Sequence, residues 1–133
     1  MSRWIKNFIL RMLCFFVSVF YRMNRKKIFF RAYNGLRYAC NPRAISEKMH
    51  EMDPDMEIVW SLNDVNDVAE IPDYVRIVKK KSFAEYRELF TYKFWVLNAG
   101  IVIPCKRKGQ IYMDTWHGER AFKNVDKTSD GSY

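Results

Sequence analysis

Gly109-Gln110-Ile111-Tyr112-Met113-Asp114-Thr115-Trp116-His117-Gly118 is the run from which the rest of this chain can be read. Residues 110–115 have the aromatic, β-branched and apolar content of a buried strand. A turn with Gly109 precedes them, and Trp116-His117-Gly118 closes them. A histidine and a glycine where a strand stops and a helix should start occupy the place where open α/β sheets bind ligands, the carboxyl ends of the strands. Gly118 allows a close approach of backbone to a ligand. Histidine, with an unperturbed pKa of about 6.5, suits proton transfer near neutrality. Two readings of His117 stand side by side: a catalytic group, and a half-buried ring packed against Trp116.

Working back from this run, strands alternate with helices. Residues 27–33, 56–61, 74–78 and 94–99 read as strands. Between them, Asn41-Pro42 reads as a helix start, with Asn as cap and Pro in the first turn. Ala44, Ile45, Met49 and Met52 follow at helical spacing. Ser82-Phe83-Ala84-Glu85 is a capping box opening a second helix. Residues 62–71 are polar and ambiguous, and residues 119–125 read as the start of another helix. The apolar runs 28–30, 58–60 and 94–97 are continuous rather than alternating, as strands buried on both faces should be. The expected fold is α/β: a Rossmann-like, mostly parallel sheet with flanking helices.

Residues 4–23 read as one helix without Gly or Pro. Asn7, Arg11, Ser18 and Arg22 fall on one narrow stripe at about 100° per residue, and the rest of the circumference is apolar. Arg11 would lie inside any spanning segment, and no small-residue cleavage site follows. Three readings remain open: an interfacial helix with snorkelling arginines, an uncleaved anchor, and a helix packed against a partner, self-association included. The interfacial helix fits best, with Trp4, Arg11, Phe15, Phe16 and Arg22 as its membrane residues. Residues 1–27 are therefore set apart as an amphipathic, basic membrane-associating helix and link, and residues 28–133 as the Rossmann-like domain.

The net charge of +8 is all at the N-terminal end, up to Arg31. Residues 1–31 hold eight basic residues and no acidic one, and residues 32–133 hold fifteen of each. A nucleic-acid domain would carry its excess on the folded part. The expected partner is instead an anionic membrane surface, with no nucleic acid. Three cysteines (Cys14, Cys40 and Cys105) without close spacing make neither a disulfide framework nor a zinc site, so the thiols read as small apolar side chains in a reducing compartment.

Two basic triplets, Lys79-Lys80-Lys81 and Lys106-Arg107-Lys108, sit beside strand ends. Each is either a phosphate-holding patch or a solvated surface run. His50 reads as structural, and Asp114 either orients a ligand or pairs with a lysine. There is no phosphate-loop fingerprint, metal-ligand cluster or nucleophile elbow. No cofactor is expected, and no residue is assigned as a metal ligand.

Six short pieces then occur in a telling order: residues 41–45, 54–60, 78–82, 93–98, 107–112 and Thr115-Trp116-His117-Gly118. Together they resemble the CDP-glycerol glycerophosphotransferase family, the teichoic-acid primases and polymerases of Gram-positive cell walls. The resemblance runs from about Ile28 to Lys123. It implies the N-terminal half of a B-type glycosyltransferase-like fold, two Rossmann-like halves facing across a cleft. It implies transfer of glycerol phosphate, or ribitol phosphate, from CDP-glycerol or CDP-ribitol to a lipid-linked polyol-phosphate acceptor, releasing CMP, by a peripheral protein on the cytoplasmic face of the cell membrane. On this resemblance His117 is catalytic, acting as general base on the acceptor hydroxyl or hydrogen-bonding the diphosphate. Trp116, Gly118, Lys123, Lys106, Arg107 and Lys108 are then candidates for holding substrate and phosphate. Where many members carry a proline, Glu119-Arg120-Ala121 stands here. The family's second half is not among these residues, so the chain reads as an N-terminal portion, inactive alone. The competing readings are half of a nucleotide-sugar transferase of the same fold, and a non-catalytic membrane-bound fragment.

Overall fold

The computed structural model describes residues 2–64, 70–99 and 106–116. Helix α1 (Arg3–Phe20) is capped by Ser2 and leads into β1 (Asn24–Arg31). Then follow α2 (Cys40–Met52), β2 (Glu57–Leu62), β3 (Val75–Lys79), α3 (Phe83–Thr91), β4 (Tyr92–Leu97) and β5 (Ile111–Asp114). The strands pair in parallel throughout, in the order β3-β2-β1-β4-β5. This is the doubly wound order of Rossmann-like sheets. Chain order reverses between β1 and β4, so the topological switch point lies at their carboxyl ends.

Both faces of the central strands are covered, as their continuous apolar runs require. Ile28, Phe30, Ile58, Trp60 and Val96 form one core, with Ile45 and Met49 of α2 packed on it. Trp60 stacks on Phe30 with ring centroids 5.8 Å apart and meets Tyr38 at 4.5 Å. Phe29, Val59, Trp95 and Leu97 face the other way, against Leu89, Ala84 and Tyr86 of α3. Ser82 Oγ accepts from Glu85 N at 3.2 Å, as the capping box predicts.

Three readings change. Residues 24–27 are not a link but the start of β1, where Asn24 pairs with Tyr92 across a register shift. A parallel ladder bonds through backbone, so charged side chains at the sheet's margin do not prevent it. β5 is not a buried strand: Ile111 and Met113 are exposed. It is the edge strand, and nothing among the described residues covers that face of it. Finally, α2 begins at Cys40 with Ala39 as its cap residue, and Asn41 makes no cap bond.

Helix α1 packs on α3, burying Cys14 and Val17 against Phe90. The polar stripe flanks this seam, with Asn7 and Ser18 half-buried, and the apolar arc faces outward. Trp4 is 76% exposed and Phe20 75%, with Phe8, Phe15, Phe16 and Val19 between them. No helix of the described residues is long and apolar enough to cross a membrane.

At the amino edge of the sheet, Arg76 Nε donates to Glu57 at 2.9 Å, and its Nη2 donates to the Tyr92 hydroxyl at 2.7 Å and pairs with Glu88 at 2.6 Å. Lys27 pairs with Glu57 and Arg87 with Glu88. Burial alone would raise the Glu88 carboxyl, but Tyr92, Arg76 and Arg87 outweigh it and hold it below the usual range. Burial likewise acts on Glu57, and Lys27 and Arg76 outweigh it there. Carboxyls depressed on folding contribute stability that is fully present above the unfolded value, about 4.3 for Glu, and lost as pH falls through the folded value. Urea midpoints should therefore hold steady from near-neutral pH down to about 4.5 and drop below it. A Glu88→Gln variant should show a shallower acid drop, and an unchanged drop would show that this network does not govern acid stability.

Candidate functional site

The carboxyl edge of the sheet gathers three loops at the switch point: residues 32–40 after β1, Asn98 after β4, and Thr115-Trp116 after β5. Among the described residues, five non-glycine residues have left-handed backbone: Tyr33, Asn34, Cys40, Lys81 and Trp116. All five lie at this edge. Such conformations cost about 1–3 kcal/mol each and persist only where surrounding bonds impose them.

The bonds here do so. Asp114 Oδ1 accepts from Trp116 N at 3.0 Å, and its Oδ2 accepts from the Tyr112 hydroxyl at 3.1 Å. Asp114 thus shapes the turn itself. Thr115 N and Oγ1 both donate to Leu97 O, at 2.7 and 3.2 Å, fastening the loop to β4. Asn41 Nδ2 donates to Thr115 O at 3.2 Å and to Trp116 O at 3.3 Å. The side chain that reads as a helix cap therefore ties α2 to the residues just before His117. Asn98 Oδ1 accepts from Tyr33 N at 2.7 Å, joining the β1 and β4 loops across the switch point.

Gly35 is the one residue of the β1 loop that needs to be glycine. Its φ is +88°, and a Cβ would meet Lys80 Cδ at 3.1 Å. Lys80 Nζ donates to Asn34 O at 2.6 Å, and Asn63 N to Gly35 O at 2.7 Å. Of the first basic triplet, Lys80 thus braces the β1 loop. Behind it lies a buried polar cluster. Glu85 is 2% exposed and Arg31 5%. Glu85 Oε1 accepts from Arg31 Nη1 at 3.1 Å and from Ser61 Oγ at 2.5 Å, and Oε2 accepts from Lys81 N at 2.6 Å. Burial pulls the Arg31 guanidinium below its ordinary value, opposed by Glu85. Glu85 therefore neutralises Arg31 and fixes the left-handed Lys81, one residue before the Ser82 cap of α3.

Cys40 is half-buried rather than part of a core. Its thiol is pulled below the ordinary range, first by a hydrogen bond from Tyr33, against burial, with Asn41 N and the Asn98 side chain assisting. Cys14 is a small apolar core group, as expected, and Cys105 lies outside the described residues. His50 stacks on Tyr74 with ring centroids 3.6 Å apart, in keeping with a structural part.

Of the residues singled out from sequence, Trp116 lies at this edge and is exposed. His117, Gly118 and Lys123 lie outside the described residues. Lys106, Arg107 and Lys108 precede β5 and so lie at the opposite edge, roughly 20 Å from Trp116 at about 3.3 Å per strand residue. Arg107 Nη1 donates to Phe90 O at 2.8 Å and Nη2 to Ser18 O at 3.2 Å, closing the ends of α3 and α1 together. Gln110 Nε2 adds bonds to Leu89 O and Tyr92 O at 2.6 and 2.7 Å. The structure therefore does not bring the second triplet to the Trp116 loop. Sequence reading missed Asn98, Tyr33 and the tether role of Asn41. Only Asn34-Gly35, a turn signal, hinted at the β1 loop.

Comparison with known proteins agrees with this geometry. The chain is similar to the teichoic acid poly(glycerol phosphate) polymerase of Bacillus subtilis (strain 168), 37% identical over 102 residues, covering 72% of this chain and 13% of the relative. The enzyme of the same name from Bacillus spizizenii is 35% identical over 100 residues, covering 71% of this chain and 25% of the relative. The chain thus spans a quarter or less of these relatives. Among solved structures, the wall teichoic acid polymerase TagF superposes with a TM-score of 0.69 at 26% identity, over 86% of this chain and 29% of that one. The same polymerase has also been solved as a histidine-to-asparagine variant soaked with CDPG. A profile of the CDP-glycerol:poly(glycerophosphate) glycerophosphotransferases matches residues 13–131, and with a parallel sheet whose switch point holds the Trp116 loop, the chain belongs to that family.

Proposed function

We propose that this chain is the N-terminal portion of an enzyme that transfers polyol phosphate from CDP-glycerol, or CDP-ribitol, to a hydroxyl of a lipid-linked teichoic-acid-type acceptor. The observation that supports the reading is the clustering of left-handed residues at the carboxyl edge, among them Trp116, whose turn Asp114 and Asn41 hold directly before His117 in sequence. In the proposed reaction the acceptor oxygen attacks the phosphorus bearing the polyol. The bond from that phosphorus to the CMP oxygen breaks, CMP leaves, and the hydroxyl proton passes to His117. Trp116, Gly118 and Lys123 are the candidates for holding substrate, and cationic and backbone donors stabilise the phosphoryl oxygens. Lys106, Arg107 and Lys108 stand at the membrane-side edge next to α1, where they attract anionic lipid or polymer rather than the reacting phosphate.

A full-length parent should release CMP from CDP-glycerol or CDP-ribitol in the presence of acceptor and should not use UDP-sugars. Turnover of UDP-sugars instead would favour the glycosyltransferase reading. The 133-residue chain alone should release no CMP, because it spans only a quarter or less of the polymerases it resembles.

Helix α1 is proposed to lie in the cytoplasmic membrane interface, apolar arc inward to the lipid, with Trp4, Phe15 and Phe16 inserted and Arg11 and Arg22 at headgroup level. Co-sedimentation with anionic vesicles should be lost when residues 2–20 are deleted. Binding that survives the deletion would refute the interfacial helix.

A further inference from the structure

The edge of the sheet opposite the Trp116 loop carries a feature that the proposed reaction does not use. A cavity of about 450 Å³ opens between the α1–β1 junction, the end of α3 and the amino ends of the strands. Its polar lining includes Arg22, Asn24, Lys27, Arg76, Arg87 and Glu88. These four cations meet two carboxylates, Glu57 and Glu88, leaving an excess of two positive charges. The carboxylates hold the guanidinium groups in place rather than saturating them. Arg76 commits Nε and Nη2, and Arg87 only Nη2, so Arg76 Nη1 and Arg87 Nε and Nη1 have no hydrogen-bond partner among the described residues. Arg22 makes no ion pair among the described residues, and Asn24 engages only its amide oxygen, leaving the NH2 group as a donor. Fixed, planar donors in a concave site with excess positive charge suit a phosphate group.

We propose that this cleft binds the phosphate of an anionic phospholipid headgroup. A lipid source is favoured over a free phosphate by position: Arg22 follows directly on α1, and Phe20, two residues earlier, is 75% exposed on the apolar arc. A bilayer in contact with that arc has its headgroup phosphates at the mouth of the cleft. The inference rests on the interfacial reading of α1, and its test is separable from that reading.

The probe is a short-chain phosphatidylglycerol kept below its micelle concentration, titrated into the 133-residue chain while arginine Nε–H resonances are followed by NMR. Saturable shifts are expected at Arg22 and Arg87, with affinity about tenfold higher than for the matching phosphatidylcholine. Arg22→Gln, a change at an exposed side chain without an ion pair, should remove most of this preference, and Arg22→Gln with Arg87→Gln all of it. No saturable shift, or a preference unchanged in the double variant, overturns the proposal. Inorganic phosphate binding as tightly as the lipid would overturn the lipid assignment in favour of a free-phosphate site. Failure of both anionic and zwitterionic vesicles to bind refutes the interfacial helix, while the monomeric-lipid titration still decides the cleft.

Discussion

Replacing His117 with alanine in a full-length parent is expected to lower CMP release from CDP-glycerol by about 10²–10⁴-fold, the usual contribution of a positioned acid or base. The fold should be unaffected, because the loop before it is held by other groups. Asp114 takes the Trp116 N–H, Thr115 is fastened to Leu97, and Asn41 bonds two successive carbonyls. Unchanged urea midpoints beside lost turnover would separate catalysis from stability. A neutral imidazole is required for proton abstraction, so kcat/KM of the unmodified parent should fall as falling pH protonates the ring. Asn41→Ala is the companion. It leaves the chemistry in place but loosens the loop, so kcat should fall more than tenfold less than in His117→Ala. Full activity of His117→Ala would remove that residue from the mechanism.

Glu85→Ala should be the most destabilising single change in the described part of the molecule. It strands Arg31, whose Nε already lacks a partner, in a site with 5% exposure. It also removes the acceptor for Ser61 and for the Lys81 N–H, and so releases the left-handed turn after β3. Breaking a buried pair from one side costs about 3–5 kcal/mol. Against a total of roughly 5–15 kcal/mol for an ordinary domain, that is a large share. Urea unfolding of the intact chain measures it. Glu85→Gln keeps the hydrogen-bonding shape and loses the charge, so it should cost less than Glu85→Ala. Equal losses would show that packing, not the ion pair, is what Glu85 supplies. A loss below 1 kcal/mol in both would show the cluster to be dispensable.

The capping box illustrates what was legible. Ser82 and Glu85 predict the start of α3, and Ser82 does cap it. Yet the Glu85 side chain does not reach back to the Ser82 cap; it takes the N–H of Lys81, one residue before that cap, and crosses to Arg31, 54 residues earlier. Sequence spacing carries the local half of that residue's role and not the long-range half. Asn41 shows the same limit. Its position before Pro42 marks a helix boundary correctly to within two residues, but its amide serves a loop 74 residues later. The second basic triplet is the counter-example. A charge run beside a strand cannot say at which end of the sheet it lies, and Arg107 turns out to close two helix ends.

Taken alone, the sequence determined the alternation of strands and helices, the parallel sheet, a first helix ahead of the sheet and the Trp-His-Gly motif after a strand. These are written in periods, caps and runs, which depend on neighbours a few residues apart. Tertiary structure alone decided the strand order, and hence that the switch point lies between β1 and β4. It also decided that β5 is an edge and that α1 turns its apolar arc away from α3. Strand order and helix facing are set by which surfaces bury each other across the whole chain, and no local pattern encodes them.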